Sequence, residues 1–178
     1  MYPMILKFWF EEVDHSKWWS KNDELDQRIR ERFAEIHAKA IRCELFDWRK
    51  NAAGRLAETI VLDKFSRNMF RDSPLSFANE SLALALSQEA IAAGADQSLS
   101  PIQRSFLYMP FMQSESLIIH KIAMDLYQKN GIQANLDFEI KHKDIIERFG
   151  RYPHRNKILG RASTKAEIEF LKQPGSGF

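Results

Sequence analysis

The chain is short of cysteine, glycine and proline, and each shortage removes a class of explanation. One cysteine, Cys43, stands among 178 residues, so no internal disulfide can form. Its setting, Ile41-Arg42-Cys43-Glu44-Leu45, mixes charges rather than gathering cations around a thiolate, which makes it a structural thiol. Seven glycines and six prolines are too few for a disordered chain or a turn-rich β fold. No run of about 18 apolar residues is available to span a membrane. Met4-Ile5-Leu6-Lys7-Phe8-Trp9-Phe10 is too short and interrupted for a secretion signal, with Glu11 and Glu12 where small cleavage-site residues would stand. A cytoplasmic location is the expectation. Also missing are H-E-x-x-H, C-x-x-C, G-x-S-x-G and the glycine-rich phosphate loops, so neither a metal nor a cofactor is expected.

What is present is helical periodicity from end to end. With 44% hydrophobic residues the chain can bury a sizeable core, and no segment sustains a period of two. The expected fold is all-α: seven or eight helices in antiparallel hairpins, as a right-handed tetratricopeptide-like array or a compact bundle. Residues 1–172 read as one helical domain, and 173–178, with Pro174-Gly175-Ser176-Gly177, as a flexible tail. Asn22 or Asp23 caps a helix with the stripe Leu25, Ile29, Phe33, Ile36, Ala40, and its charges Glu24/Arg28, Asp26/Arg30 and Glu35/Lys39 read as a solvated outer face. After a turn at 50–54 a second helix runs to about Phe65 or Arg67, and Pro74 opens an Ala-rich third that ends at Gly94. Ser100-Pro101 starts a short helix stopped near Pro110, Ser114 starts another ending near Gly131, and a further one ends at Phe149 with Gly150 beyond it. Thr164-x-x-Glu167 has the spacing of a capping box.

The most specified stretch follows that glycine. From Arg148 to Ala166 there is no carboxylate, while Arg148, Arg151, Arg155, Lys157, Arg161 and Lys165 are cationic. Such a segment either satisfies helix-end carbonyls or receives an anion. Net charge of +2 and a pI near 8.6 fall short of a dedicated nucleic-acid domain. Leu56, Ile60, Asp63 and Arg67 share one helical stripe, which predicts a buried ion pair or a ligand-facing one. Arg67-Asn68 is echoed by Arg155-Asn156. His154, flanked by cations, suits a neutral imidazole. His142 and His120 read as packed, hydrogen-bonded core histidines. The aromatics Phe8, Trp9, Phe10, Trp18, Trp19 and Trp48 read mostly as core, with a minority free to stack on a nucleotide or aromatic acid.

Ile5-Leu6-Lys7-Phe8-Trp9-Phe10, Trp18-Trp19, Leu62-Asp63-Lys64-Phe65-Ser66-Arg67-Asn68, the run from Tyr108 to Glu115, and Phe149-Gly150-Arg151-Tyr152-Pro153-His154-Arg155-Asn156 through Leu159-Gly160-Arg161 together resemble an uncharacterised, mainly bacterial family known as domain of unknown function 924. The resemblance covers nearly the whole chain and implies a tetratricopeptide-like helical array with no established activity. This sequence departs from the family pattern at Lys64 and Ser66, usually Gln and Pro, at Gln113, usually His, and at His120, usually Gln. A mechanism needing a histidine at 113 would fail here, because glutamine is no general base.

Three readings result. The first is a binding or scaffold module that receives an acidic peptide or small anion through Arg67, Asn68, Arg151, His154, Arg155, Asn156 and Arg161. The second is a hydrolase or transferase acting on an anionic metabolite, with His154 as acid/base and Asp63 or Glu115 as its orienter. The lack of a complete catalytic set argues against it. The third makes the whole polar network structural, and what separates it from the first is whether the arginine head groups are internally paired.

Overall fold

The computed structural model describes residues 1–178 and is helical throughout, without strands. Seven α-helices have seven residues or more, joined by shorter α, 3-10 and π turns. No helix is long and apolar enough to cross a membrane. The chain divides into two compact units, one formed by Met1–Arg71 with Leu75–Pro110, the other by Asp72–Pro74 with Phe111–Phe178.

In the first unit α1 (Tyr2–Lys7) runs into a π turn, Phe8–Glu12. Helix α2 (Asp23–Ile41) starts where Asn22 Oδ1 accepts the Leu25 amide at 2.8 Å, and its whole expected stripe is buried. Phe33 of that stripe meets Phe8 edge-on at 4.9 Å and Phe65 stacked at 5.1 Å. These fully buried rings each contribute roughly 1.5–3 kcal/mol by leaving water, so the sequence places its largest apolar groups where they stabilise most.

The next helix begins earlier than its glycine suggested. Asn51 Oδ1 accepts the Gly54 amide at 2.9 Å, so α3 (Ala52–Ile60) already contains Gly54 rather than following it. The glycine is there for space, since a Cβ would lie 1.9 Å from the Trp48 carbonyl oxygen. Gly54→Ala should therefore lower the unfolding free energy by about 2 kcal/mol, read from the urea midpoint, because backbone rather than a flexible side chain must yield. Helix α3 continues through a π turn, Val61–Phe65, into α4 (Ser66–Met69). Helix α5 (Glu80–Ala92) follows a 3-10 turn at Pro74–Ser76 and ends before Gly94, whose φ of 68° is left-handed. Ser100 and Gln103 form a capping box for α6 (Pro101–Leu107), and the short α7 (Met109–Met112) carries Pro110.

The second unit is built on a hairpin of α8 (Leu117–Asn130) and α9 (Gln133–Phe149), which turns at Gly131. Ile145, Ile146 and Tyr152 form its core, packed by Leu117, Phe149 and Phe170. Gly150, with φ of 68°, ends α9 and releases the basic segment, and α10 (Lys165–Leu171) follows the Thr164/Glu167 capping box. Residues 173–178 run back onto this unit, where the Phe178 ring lies on the His142 ring at 3.7 Å.

Candidate functional site

The basic segment is held by acids that come from elsewhere in its unit. Arg151 donates from Nε and NH2 to both oxygens of Glu167, at 2.7 and 2.9 Å, and from NH2 to the Ala162 carbonyl at 2.8 Å. The Arg151 guanidinium holds the Glu167 carboxyl down at about 2. Arg161 makes a second fork, to Glu115 at 2.7 and 2.9 Å, and also reaches Asn156 Oδ1 and the Tyr152 carbonyl. Glu115 further accepts the Tyr152 amide at 2.7 Å. Burial alone would raise the Glu115 carboxyl, but these donors overcome it and hold it below the usual carboxylate range. Arg155 is only 2% exposed; it donates to the Gln113 carbonyl at 2.9 Å and lies over the Tyr152 ring at 4.6 Å. Asn156 is buried and donates to Ser163 Oγ. Gln113, the departure from the family pattern, thus contributes its backbone oxygen, which any residue supplies, and more weakly its side-chain Oε1, 3.4 Å from the same guanidinium.

His154 stands beside Tyr152 and Phe178, with ring centroids 5.7 and 5.6 Å away. The proposed orienter Glu115 makes its bonds to Arg161 and the Tyr152 amide. The other two histidines of this unit are core groups as expected. His142 Nδ1 donates to the Phe138 carbonyl at 2.7 Å, and burial drives the imidazole down to about 3. His120 is fully buried between the Ser114 carbonyl, 2.7 Å from Nε2, and Glu139 Oε1, 2.6 Å from Nδ1. A carbonyl only accepts, so Nε2 carries hydrogen and the Glu139–Nδ1 contact shares one proton. Burial raises the Glu139 carboxyl, against the pull of His120. Sequence reading missed Glu139 as a buried acid, because its partner comes from a different helix.

The first unit contains Asp63, Arg67 and Asn68. Asp63 is buried on the π turn with Arg67 Nε 3.8 Å from its Oδ1, and Arg67 also pairs with Glu80 and covers the Phe77 ring at 5.1 Å. The predicted Asp63–Arg67 pair is therefore formed. Asn68 instead donates to Asp26 at 2.7 Å, and Arg71 forks onto the same carboxylate at 2.5 and 2.8 Å. This corrects the reading of Asp26 as part of a solvated face: it is 5% exposed and joins α2 to the end of α4. Of the pairs assigned to that face, Glu35–Lys39 does form, at 2.8 Å.

Lys64 is engaged differently from the arginines. Its Nζ donates to the Trp18 carbonyl at 3.2 Å and lies 5.1 Å from the Trp19 ring and 5.9 Å from the Trp9 ring, with no ion pair. The lysine is half-buried, whereas Trp19 is 50% exposed and stacks on Phe106 at 5.5 Å. Burial brings the Lys64 ammonium down to about 8; Asp63 opposes this and Arg67 and Arg71 assist it. A separate open groove of about 560 Å³ near α1, lined by residues including Tyr2, Met4, Phe10, Lys7 and Glu11, contains Phe10 of the aromatics named from sequence and none of the charged, amide or histidine candidates.

The comparisons with known proteins agree with this architecture. A solved structure of a protein of unknown function, ATU0120 from Agrobacterium tumefaciens, is 38% identical, with 96% of each chain covered and a TM-score of 0.91. No curated protein matches the chain. A family model described as bacterial protein of unknown function (DUF924) matches residues 5–175, and the chain with its all-helical fold belongs to that family.

Proposed function

We infer that the protein is a non-catalytic binding module for a small planar anion, such as an aromatic carboxylate, received at Lys64 and Trp19. The single observation carrying this reading is that Lys64 is a half-buried cation with no ion pair beside a half-exposed indole. Arg151 and Arg161 instead end on carboxylates, and Arg155 on a carbonyl and a ring face. That pairing supports the basic segment as an internal fastening of its unit. Admitting an anion there would require displacing Glu167 or Glu115, at the cost of leaving buried charge uncompensated. Lysine has three N–H donors and the Trp18 carbonyl takes one, which leaves donors for an anion beside the half-exposed Trp19 indole.

Benzoate titrations followed by indole N–H shifts and calorimetry test this. Saturable binding that weakens at least tenfold in Lys64→Gln, with proton uptake on binding near pH 8, is expected, since an anion favours the ammonium form. Equal affinity in Lys64→Gln, or no saturation in the wild-type protein, overturns the assignment.

A further inference from the structure

We propose that Lys64 is also a reactive amine, which condenses with the carbonyl of a small aromatic aldehyde and makes its place beside Trp9 and Trp19 a covalent capture site. This rests on the anion-binding reading only for the ligand's shape and charge; the reactivity stands on the geometry around Nζ. A surface lysine is strongly hydrated and protonated, so it makes a poor nucleophile. Here the half-buried head group is held by one carbonyl bond and lies over two indole rings, in place of a full hydration shell. No carboxylate pairs with it to hold the proton. The charged groups acting on it are Asp63, which favours the ammonium, and Arg67 and Arg71, which disfavour it. Burial outweighs Asp63, and near pH 8 about half the molecules carry the free amine.

The chemistry balances without any further reactant. The Nζ lone pair attacks the carbonyl carbon, forming the C–N bond as the C=O π pair moves to oxygen. Proton transfer from nitrogen to oxygen gives a carbinolamine, whose hydroxyl takes a proton from solvent and leaves as water while nitrogen forms the C=N bond. The protonated imine keeps one N–H, which can retain the bond to the Trp18 carbonyl. Its positive charge lies against the same indole faces that favoured the ammonium.

Two labelling experiments on the whole chain test the proposal. In the first, trace acetic anhydride is applied from pH 6 to 11 and each lysine is followed by peptide mass spectrometry. In the second, pyridoxal 5′-phosphate is added at pH 8, reduced with borohydride and mapped. Lys64 should acylate on the order of tenfold faster than the other lysines at pH 7.5, with an inflection near 8, because its larger free-amine fraction outweighs the lower intrinsic nucleophilicity. The reduced adduct should concentrate on Lys64. Acylation no faster than at surface lysines, or an adduct spread evenly over them, overturns the reactive amine. If benzoate binds through Lys64 while labelling is unselective, this inference fails alone. Selective labelling without benzoate binding overturns the binding reading and leaves this one standing.

Discussion

Arg155→Ala should cost about 3–5 kcal/mol of unfolding free energy, among the largest losses available to a single substitution outside the apolar core. The side chain is one of the largest fully enclosed in the protein. Truncation removes a charge-assisted bond to the Gln113 carbonyl, takes the guanidinium off the Tyr152 ring and leaves a cavity beside it. Tyr152 in turn anchors its unit through its hydroxyl, which donates to the Met112 carbonyl at 2.6 Å, and through its amide on Glu115. Arg155→Lys should recover only a minor part, because a point charge on a flexible stem lacks the planar face that lies on the ring. Urea midpoints with an unchanged m-value measure both effects. A change within about 0.5 kcal/mol, as for an exposed side chain, would return Arg155 to the candidates for ligand binding.

Where the sequence proved legible, the reason is that its signals were local. The α2 stripe, the Asn22 and Ser100 caps, the Thr164 box and the glycines at 94, 131 and 150 each declare themselves within one or two turns, and all sit where their chemistry requires. Asp63 and Arg67 were legible for the same reason, falling four residues apart on an apolar stripe. Asp26 was misread, although its position seven residues before Phe33 and three before Ile29 places it on the edge of the buried stripe; the i,i+4 pairing rule was given too much weight. Its true partners, Asn68 and Arg71, lie more than forty residues away. The acids that occupy the basic segment are equally distant in sequence, Glu115 thirty-seven residues before Tyr152 and Glu167 sixteen after Arg151. An acid-free run therefore says nothing about whether its charges are paired once folded. The π turn at Val61–Phe65 was invisible because one extra residue in a helical ring leaves composition and pattern nearly unchanged. Lys64, on that turn, stood out only as a departure from the family pattern, and what distinguishes it is three-dimensional: a carbonyl and two indoles where Arg151 and Arg161 have acids.

Acidification from pH 7 to 5 should remove about 2 kcal/mol of stability through His142. The imidazole is 3% exposed, with Nδ1–H on the Phe138 carbonyl, Phe178 stacked on one face and the Tyr152 ring edge-on at 5.7 Å. Burial is the main reason the folded protein refuses the proton until about pH 3, and the nearby His120, His154 and Arg155 charges act in the same direction. In the unfolded chain the same histidine takes a proton near 6.5. Between these values the unfolded state binds more protons, so its share of stability is complete above 6.5 and is lost as pH falls, at up to about 1.4 kcal/mol per pH unit. Glu139 works the other way, because its raised carboxyl takes a proton more readily in the folded state and so offsets part of the loss above 4.5. Below 4.5 the signs align: Glu115 and Glu167, both held down in the folded protein, lose their contribution as they are protonated, Glu167 down to about 2. The stability curve should thus slope gently from 6.5 to 4.5 and steeply below. His142→Gln should remove its share of the slope from 6.5 down to about 3, leaving below 4.5 the loss carried by Glu115 and Glu167, and urea denaturation at closely spaced pH values reads both. An unchanged upper slope in that variant would mean that His142 does not enter the transition, whereas a reversed slope in the wild-type protein would mean that Glu139 outweighs it.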